Sequence, residues 1–175
     1  MNKKQNSNWK GVWEFYLTKG DPISQQELNE IKKGNQISRD YQVFKYNNVI
    51  LRQGRKRVNE ALVGYTSSLG QTKLKYEQLG RDATVADEDD TELLDPEPLT
   101  KKQISSLRIM EDEGTPEIIE VVSFWVEGTP GLADDWKEYG LYTADNLLFL
   151  RVNIDLSVTG LNSLTIRGEI QQNLT

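Results

Sequence analysis

Apolar and polar positions alternate most clearly at the start of the chain. Trp9, Gly11, Trp13, Phe15 and Leu17 share one face, and Lys10, Val12, Glu14 and Tyr16 the other, which is the period of two of a half-buried strand. Ser24 and Glu27 follow at the spacing of a capping box, with Leu28 and Ile31 as an apolar stripe, and predict a short helix stopped at Gly34. Tyr41 to Leu51 is rich in aromatic and β-branched residues and predicts strand structure broken by a turn at Asn47 and Asn48. A second helix is expected where Val58, Ala61, Leu62 and Tyr65 repeat at helical spacing, ending near Ser67 to Gly70. Lys73 to Gly80 alternates again, with Leu74 and Tyr76 on one face, as in a half-buried strand.

Arg81 to Pro98 is acidic and has no sustained period, so it reads as a long surface loop. Ile104 to Ile109 and Glu117 to Val126 read as strands, the second apolar on both faces and therefore interior to a sheet. Gly128, Pro130 and Gly131 break the chain. Leu147 to Ile154, a turn near Gly160 to Asn162, and the alternating Leu164, Ile166, Gly168 and Ile170 then form a meander. The pattern predicts a mainly β (α+β) protein: an antiparallel β-sandwich-like domain with two short helices. Residues 51–175 are assigned to that domain, and residues 1–50 to an N-terminal arm, a strand plus a short helix used for attachment or assembly.

Composition narrows the chemistry. A chain of 175 residues can bury a core without disulfides or metals. The net charge of -6 and pI near 4.8 set its field against phosphate backbones and anionic lipid, so neither nucleic acid nor membrane is an expected partner. Apolar runs such as Val121 to Val126 fall far short of the ~20 residues a membrane span needs. Met1 to Asn8 is polar and no apolar run follows it, so synthesis in the cytoplasm is expected. The sequence contains no histidine and no cysteine. That removes thiolate nucleophiles, imidazole bases, Ser-His-Asp triads and the usual zinc ligands, and the expectation is a protein that is not an enzyme and uses no cofactor.

The remaining motifs have plain alternatives. The run Asp87, Glu88, Asp89, Asp90 and Glu92 could offer oxygen ligands to a hard cation, but it lacks the glycine of a calcium loop and reads more simply as solvated. Arg55, Lys56 and Arg57 could meet phosphate, or could be a solvated helix face with salt bridges. Carboxylate pairs such as Glu111 with Glu113, or Asp134 with Asp135, would suit a glycosidase only if they faced each other across a cleft. Trp9, Trp13, Trp125 and Trp136 could form a carbohydrate platform on a β surface, although packing is the commoner use of tryptophan.

From about residue 55 to 172, the order of pieces resembles a family of small bacteriophage tail proteins, found as tail, collar or neck fibre components or as fibre attachment domains. The pieces are VNEALVGY, KLKYEQLGRD with ATVADEDDTELLDPE after it, IIEVVSFWV, DDWKEYGLYT, LLFLRVNI and SLTIRGEI. Within them Trp136, Glu138, Gly140 and Leu141, and the pair Arg151 and Val152, stand where the family is similar, whereas Gly80, Arg81 and Asp82 depart from its more glycine-rich turn. The resemblance implies a β-sandwich-like structural protein of a virion tail, neck or fibre, made in the host cytoplasm and assembled into the virion. It would bind tail, neck or baseplate subunits, form a homo-oligomer as a ring or trimer, and need neither catalysis nor cofactor.

Two groups of residues are expected to serve this role. Trp136, Tyr139, Gly140 and Leu141 are expected to form a packed core corner between strands, the glycine permitting close backbone approach. Trp9, Trp13, Phe15 and Tyr16, outside the matched region, are expected to anchor a protein partner, since aromatic side chains dominate interface energetics. The rival readings are a carbohydrate-binding β module using surface aromatics, and a hydrolase using carboxylates alone.

Overall fold

Strands dominate because the alternation described above recurs wherever β-branched and aromatic residues cluster, and it is sustained through long-range pairing. The computed structural model describes residues 9–62, 73–110 and 118–172. In chain order the elements are β1 (Trp9–Lys19), α1 (Gln25–Lys32), β2 (Gln42–Ile50), α2 (Arg52–Leu62), β3 (Leu74–Gly80), β4 (Lys102–Gln103), β5 (Ser106–Met110), β6 (Ile118–Trp125), β7 (Asp134–Thr143), β8 (Leu148–Val158) and β9 (Asn162–Gln172). The expected capping box is present at α1: the Ser24 amide donates to Glu27 at 2.8 Å and the Glu27 amide to the Ser24 hydroxyl at 3.3 Å. Gly34, with a positive φ of 82°, ends that segment as predicted.

The strands form one antiparallel sheet of nine in the order β4-β3-β7-β8-β2-β1-β9-β6-β5, curled so that its two halves face each other. Two segments turn the corners between the halves. Gln42 to Asn47 of β2 pair with β1, and Asn48 to Ile50 pair with β8. The expected turn at Asn47 and Asn48 is therefore a change of partner within one continuous strand. On the opposite side β4 pairs with β3 and β5 with β6, with only Ile104 and Ser105 between them.

The core lies between the halves. Trp13, Phe15 and Leu17 of β1 meet Trp136, Tyr139 and Leu141 of β7 and Leu150 and Val152 of β8. Trp13 and Tyr139 stack tilted at 4.9 Å between ring centroids, and Phe15 meets Tyr139 edge-on at 5.6 Å. Trp13 fits only because its neighbour in β9 is Gly168, where a Cβ would stand 2.4 Å from the Trp13 ring. Outside the sandwich, Tyr16 packs with Ile23 and Leu28 of the α1 region and with Val122 of β6.

This arrangement corrects two expectations. The first fifty residues are not a separate arm: β1 runs between β2 and β9, and eleven register pairs tie it to β9 from Trp9 with Gln172 to Lys19 with Asn162. The apolar face of Trp13, Phe15 and Leu17 therefore has a complete core in its own chain. Trp136, Tyr139, Gly140 and Leu141 are core residues as expected, but they lie along β7 and not at a corner. At Gly140 a Cβ would stand 2.8 Å from Leu148 and 3.0 Å from Leu93, so the close approach expected there is present. The second helix covers Arg52 to Leu62, and the expected continuation through Tyr65 to Gly70 lies outside the described residues.

Candidate interaction surface

β5 ends the sheet and is the least covered part of it. Leu107 and Ile109 stand opposite Val121 and Ile119 of β6, on the face that continues into the core, yet they are 37% and 62% exposed. Among the described residues no strand pairs with the outer edge of β5. The site is thus a short ladder of unpaired backbone groups flanked by uncovered aliphatic side chains, the arrangement that invites strand addition.

The corner segment before β5 is held to both halves. The Ile104 amide donates to the Lys75 carbonyl at 2.9 Å, and the Phe124 amide donates to the Ser105 hydroxyl at 3.2 Å. Lys102 donates from Nζ to the Phe124 carbonyl and lies 3.9 Å above the Trp125 ring. The same ammonium is 4.0 Å from Oε1 of Glu77, a carboxyl group with no solvent exposure whose other oxygen accepts from the Tyr139 hydroxyl at 2.9 Å. Burial pushes the Glu77 carboxyl up to about 7, against the pull of the Lys102 charge and the Ser123 and Tyr139 hydroxyls. Burial also lowers the Lys102 ammonium, with Glu77 opposing.

On the outer face beside β5 lies an ion cluster. Arg108 pairs with Glu120, which also accepts from Arg167 at 2.9 Å; Arg167 donates in turn to Glu14 at 3.0 Å and to Glu169. Burial acts to raise the Glu120 carboxyl, but Arg108 and Arg167 outweigh it and hold it below the ordinary carboxylate range. Arg108 also donates to the Asn29 side chain of α1 at 3.3 Å. The cation in the middle of β5 is therefore already engaged within its own subunit.

The acidic loop is anchored, which its sequence did not reveal. Arg151 of β8, fully buried, donates to Glu138 at 2.9 Å, to Asp90 at 2.7 Å and to the Thr84 carbonyl at 3.0 Å. Glu138, also fully buried, accepts the Asp95 amide at 2.8 Å. Glu88 takes Arg52 and Arg55, and Asp89 takes Arg52. The carboxylates considered as cation ligands are thus largely spent on arginine, and among the described residues no group of three or more acids is placed to hold a metal. Of the basic cluster, Arg55 pairs with Glu88, Lys56 with Glu60 and Arg57 with Asp145.

Other sequence candidates are scattered. Trp13, Phe15 and Tyr16, expected to anchor a partner, are buried against their own chain; Trp9 is placed by its backbone only, and its side chain lies outside the described residues. Trp125 and Trp136 are buried as well, so these tryptophans offer no platform to a sugar ring. Asp134 is taken by Arg81, and Glu111 and Glu113 lie outside the described residues. An open cleft of about 430 Å³ lies between Lys19, Arg39, Tyr41 and Asn162, but its guanidinium is occupied by the Asp21 and Pro22 carbonyls and by Glu27. The chain matches no protein-family model, no curated protein and no solved structure.

Proposed function

We propose that this chain is a structural subunit of a bacteriophage virion, in the tail, neck or a fibre, that works by binding other virion proteins without catalysis. The observation that carries the reading is the outer edge of β5, which no strand among the described residues covers and where Leu107 and Ile109 stand exposed on an otherwise well-packed sandwich. The absence of histidine and cysteine supports it by removing most catalytic routes. The order of pieces from residue 55 to 172 supports the virion context. The carbohydrate-module alternative loses its main support, because Trp13, Trp125 and Trp136 are in the core.

Antibodies raised against the purified chain provide the test. On phage particles from the genome that encodes it, gold label should gather at the tail or neck, and the chain should appear in their protein content. Particles that lack the chain altogether would overturn the assignment.

A further inference from the structure

Strand edges in soluble proteins are usually guarded by short length, charged side chains, proline, a bulge, or an inward-pointing charge. β5 is short and carries Arg108 at its centre, but its register with β6 is unbroken from Ser106 to Met110, it contains no proline, and Leu107 and Ile109 occupy a core-side face that carries no charge. Its cation, Arg108, is on the opposite face and is paired with Glu120, a carboxylate it shares with Arg167. Aliphatic residues therefore flank the centre of the strand symmetrically, and the residue at that centre is already ion-paired within its own chain.

We infer that β5 pairs antiparallel with β5 of a second copy, about a two-fold axis at Arg108. The inference rests on the assembly reading above and names its partner. In this register Leu107 of each copy faces Ile109 of the other, Ser106 faces Met110, and both exposed aliphatic positions on each side gain cover. Moving the axis to Leu107 or Ile109 would leave one of the two aliphatic residues facing the end of the strand. The arginines meet at the axis on the outer face, each held in its own chain's cluster of Glu120, Arg167, Glu14 and Glu169, so the encounter is between mixed-charge clusters and not between bare cations. The ladder hydrogen bonds join two nine-stranded sheets into one. The contact is short, so the dimer is expected to depend on concentration.

The absence of cysteine makes a direct test possible. In the double variant Leu107→Cys, Ile109→Cys, opposed thiols would sit on backbones ~4.5–5.5 Å apart, within disulfide reach. Mild oxidation should give a covalent dimer, at least tenfold faster than for Leu107→Cys alone, whose thiols would be diagonal at ~7–8 Å. Ile109→Lys, at an exposed position, should shift the parent's mass in solution to that of a monomer that still melts cooperatively, with a melting temperature that no longer rises with concentration. If the parent is oligomeric but the double variant does not cross-link and Ile109→Lys keeps its mass, β5 pairing is wrong while assembly through another surface stands. If the parent is a monomer at every concentration and never cross-links, self-pairing is wrong, and the virion reading then depends on the particle test alone.

Discussion

Replacing Glu77 with glutamine should change how stability depends on pH more than it changes the fold. The carboxyl is fully buried between the sheet halves and holds its proton up to about 7, whereas in the unfolded chain it would titrate near 4.5. A raised folded value means that the native state binds the proton more tightly. The stabilisation is complete below 4.5 and is lost as pH rises through 7. At ~1.4 kcal/mol per tenfold change in proton affinity, the move from 4.5 to about 7 makes the native state about 3 kcal/mol less stable at pH 8 than at pH 4.5 on account of this group. Glutamine keeps an oxygen for the Tyr139 hydroxyl and has no proton to lose. The difference in stability between parent and Glu77→Gln should therefore rise by about 3 kcal/mol across that interval, or ~6–12 °C in melting temperature for a chain of this size. Carboxylates held below their ordinary range by cations, such as Glu14 and Glu120, lose their contribution only at lower pH, and they cancel in the difference. Denaturant titrations of both proteins from pH 4.5 to 8 provide the assay. Parallel curves would show that Glu77 titrates normally and that the buried site admits water or a further counter-charge.

Trp136→Ala should cost about 3–5 kcal/mol in denaturant titration, because the indole is fully buried and its Nε1 donates to the Leu132 carbonyl at 2.9 Å. Arg151→Ala should cost a similar ~3–5 kcal/mol by leaving the buried Glu138 carboxyl without its partner, and proteolysis should then cut first in the released loop 81–97. Deleting residues 1–20 should abolish cooperative melting by circular dichroism, since it removes β1 from between β2 and β9 together with Trp13 and Phe15; a truncated chain that melts cooperatively would contradict the central place of β1.

The alternation from Trp9 to Leu17 made β1 legible, but period two says only that a face is buried, not in whose core. The partner that receives Trp13 lies in β9, at Gly168, and the signal was a glycine in the middle of an alternating strand. β3 keeps Leu74 in the core as expected, but the register shift between Leu74 and Tyr76 moves the phase after it, so Glu77 and Leu79 turn inward while Tyr76 packs against Leu51, Leu93, Tyr142 and Leu148. β7 was hidden by its acids, since Glu138 looks like a surface residue until Arg151 is brought against it. An arginine inside the apolar run Leu147 to Ile154 was the one local hint of that pair. The edge at β5 was predicted as a strand but not as an edge, because strand order depends on pairings that no local pattern encodes.

The claim that this protein acts by assembly is tested most directly by its mass in solution. Light scattering coupled to size exclusion, on the full chain over a concentration series, should report species heavier than the 20.0 kDa monomer that grow with concentration. A 20.0 kDa monomer at every concentration, bound by a glycan array, would contradict the account and favour a carbohydrate-binding module.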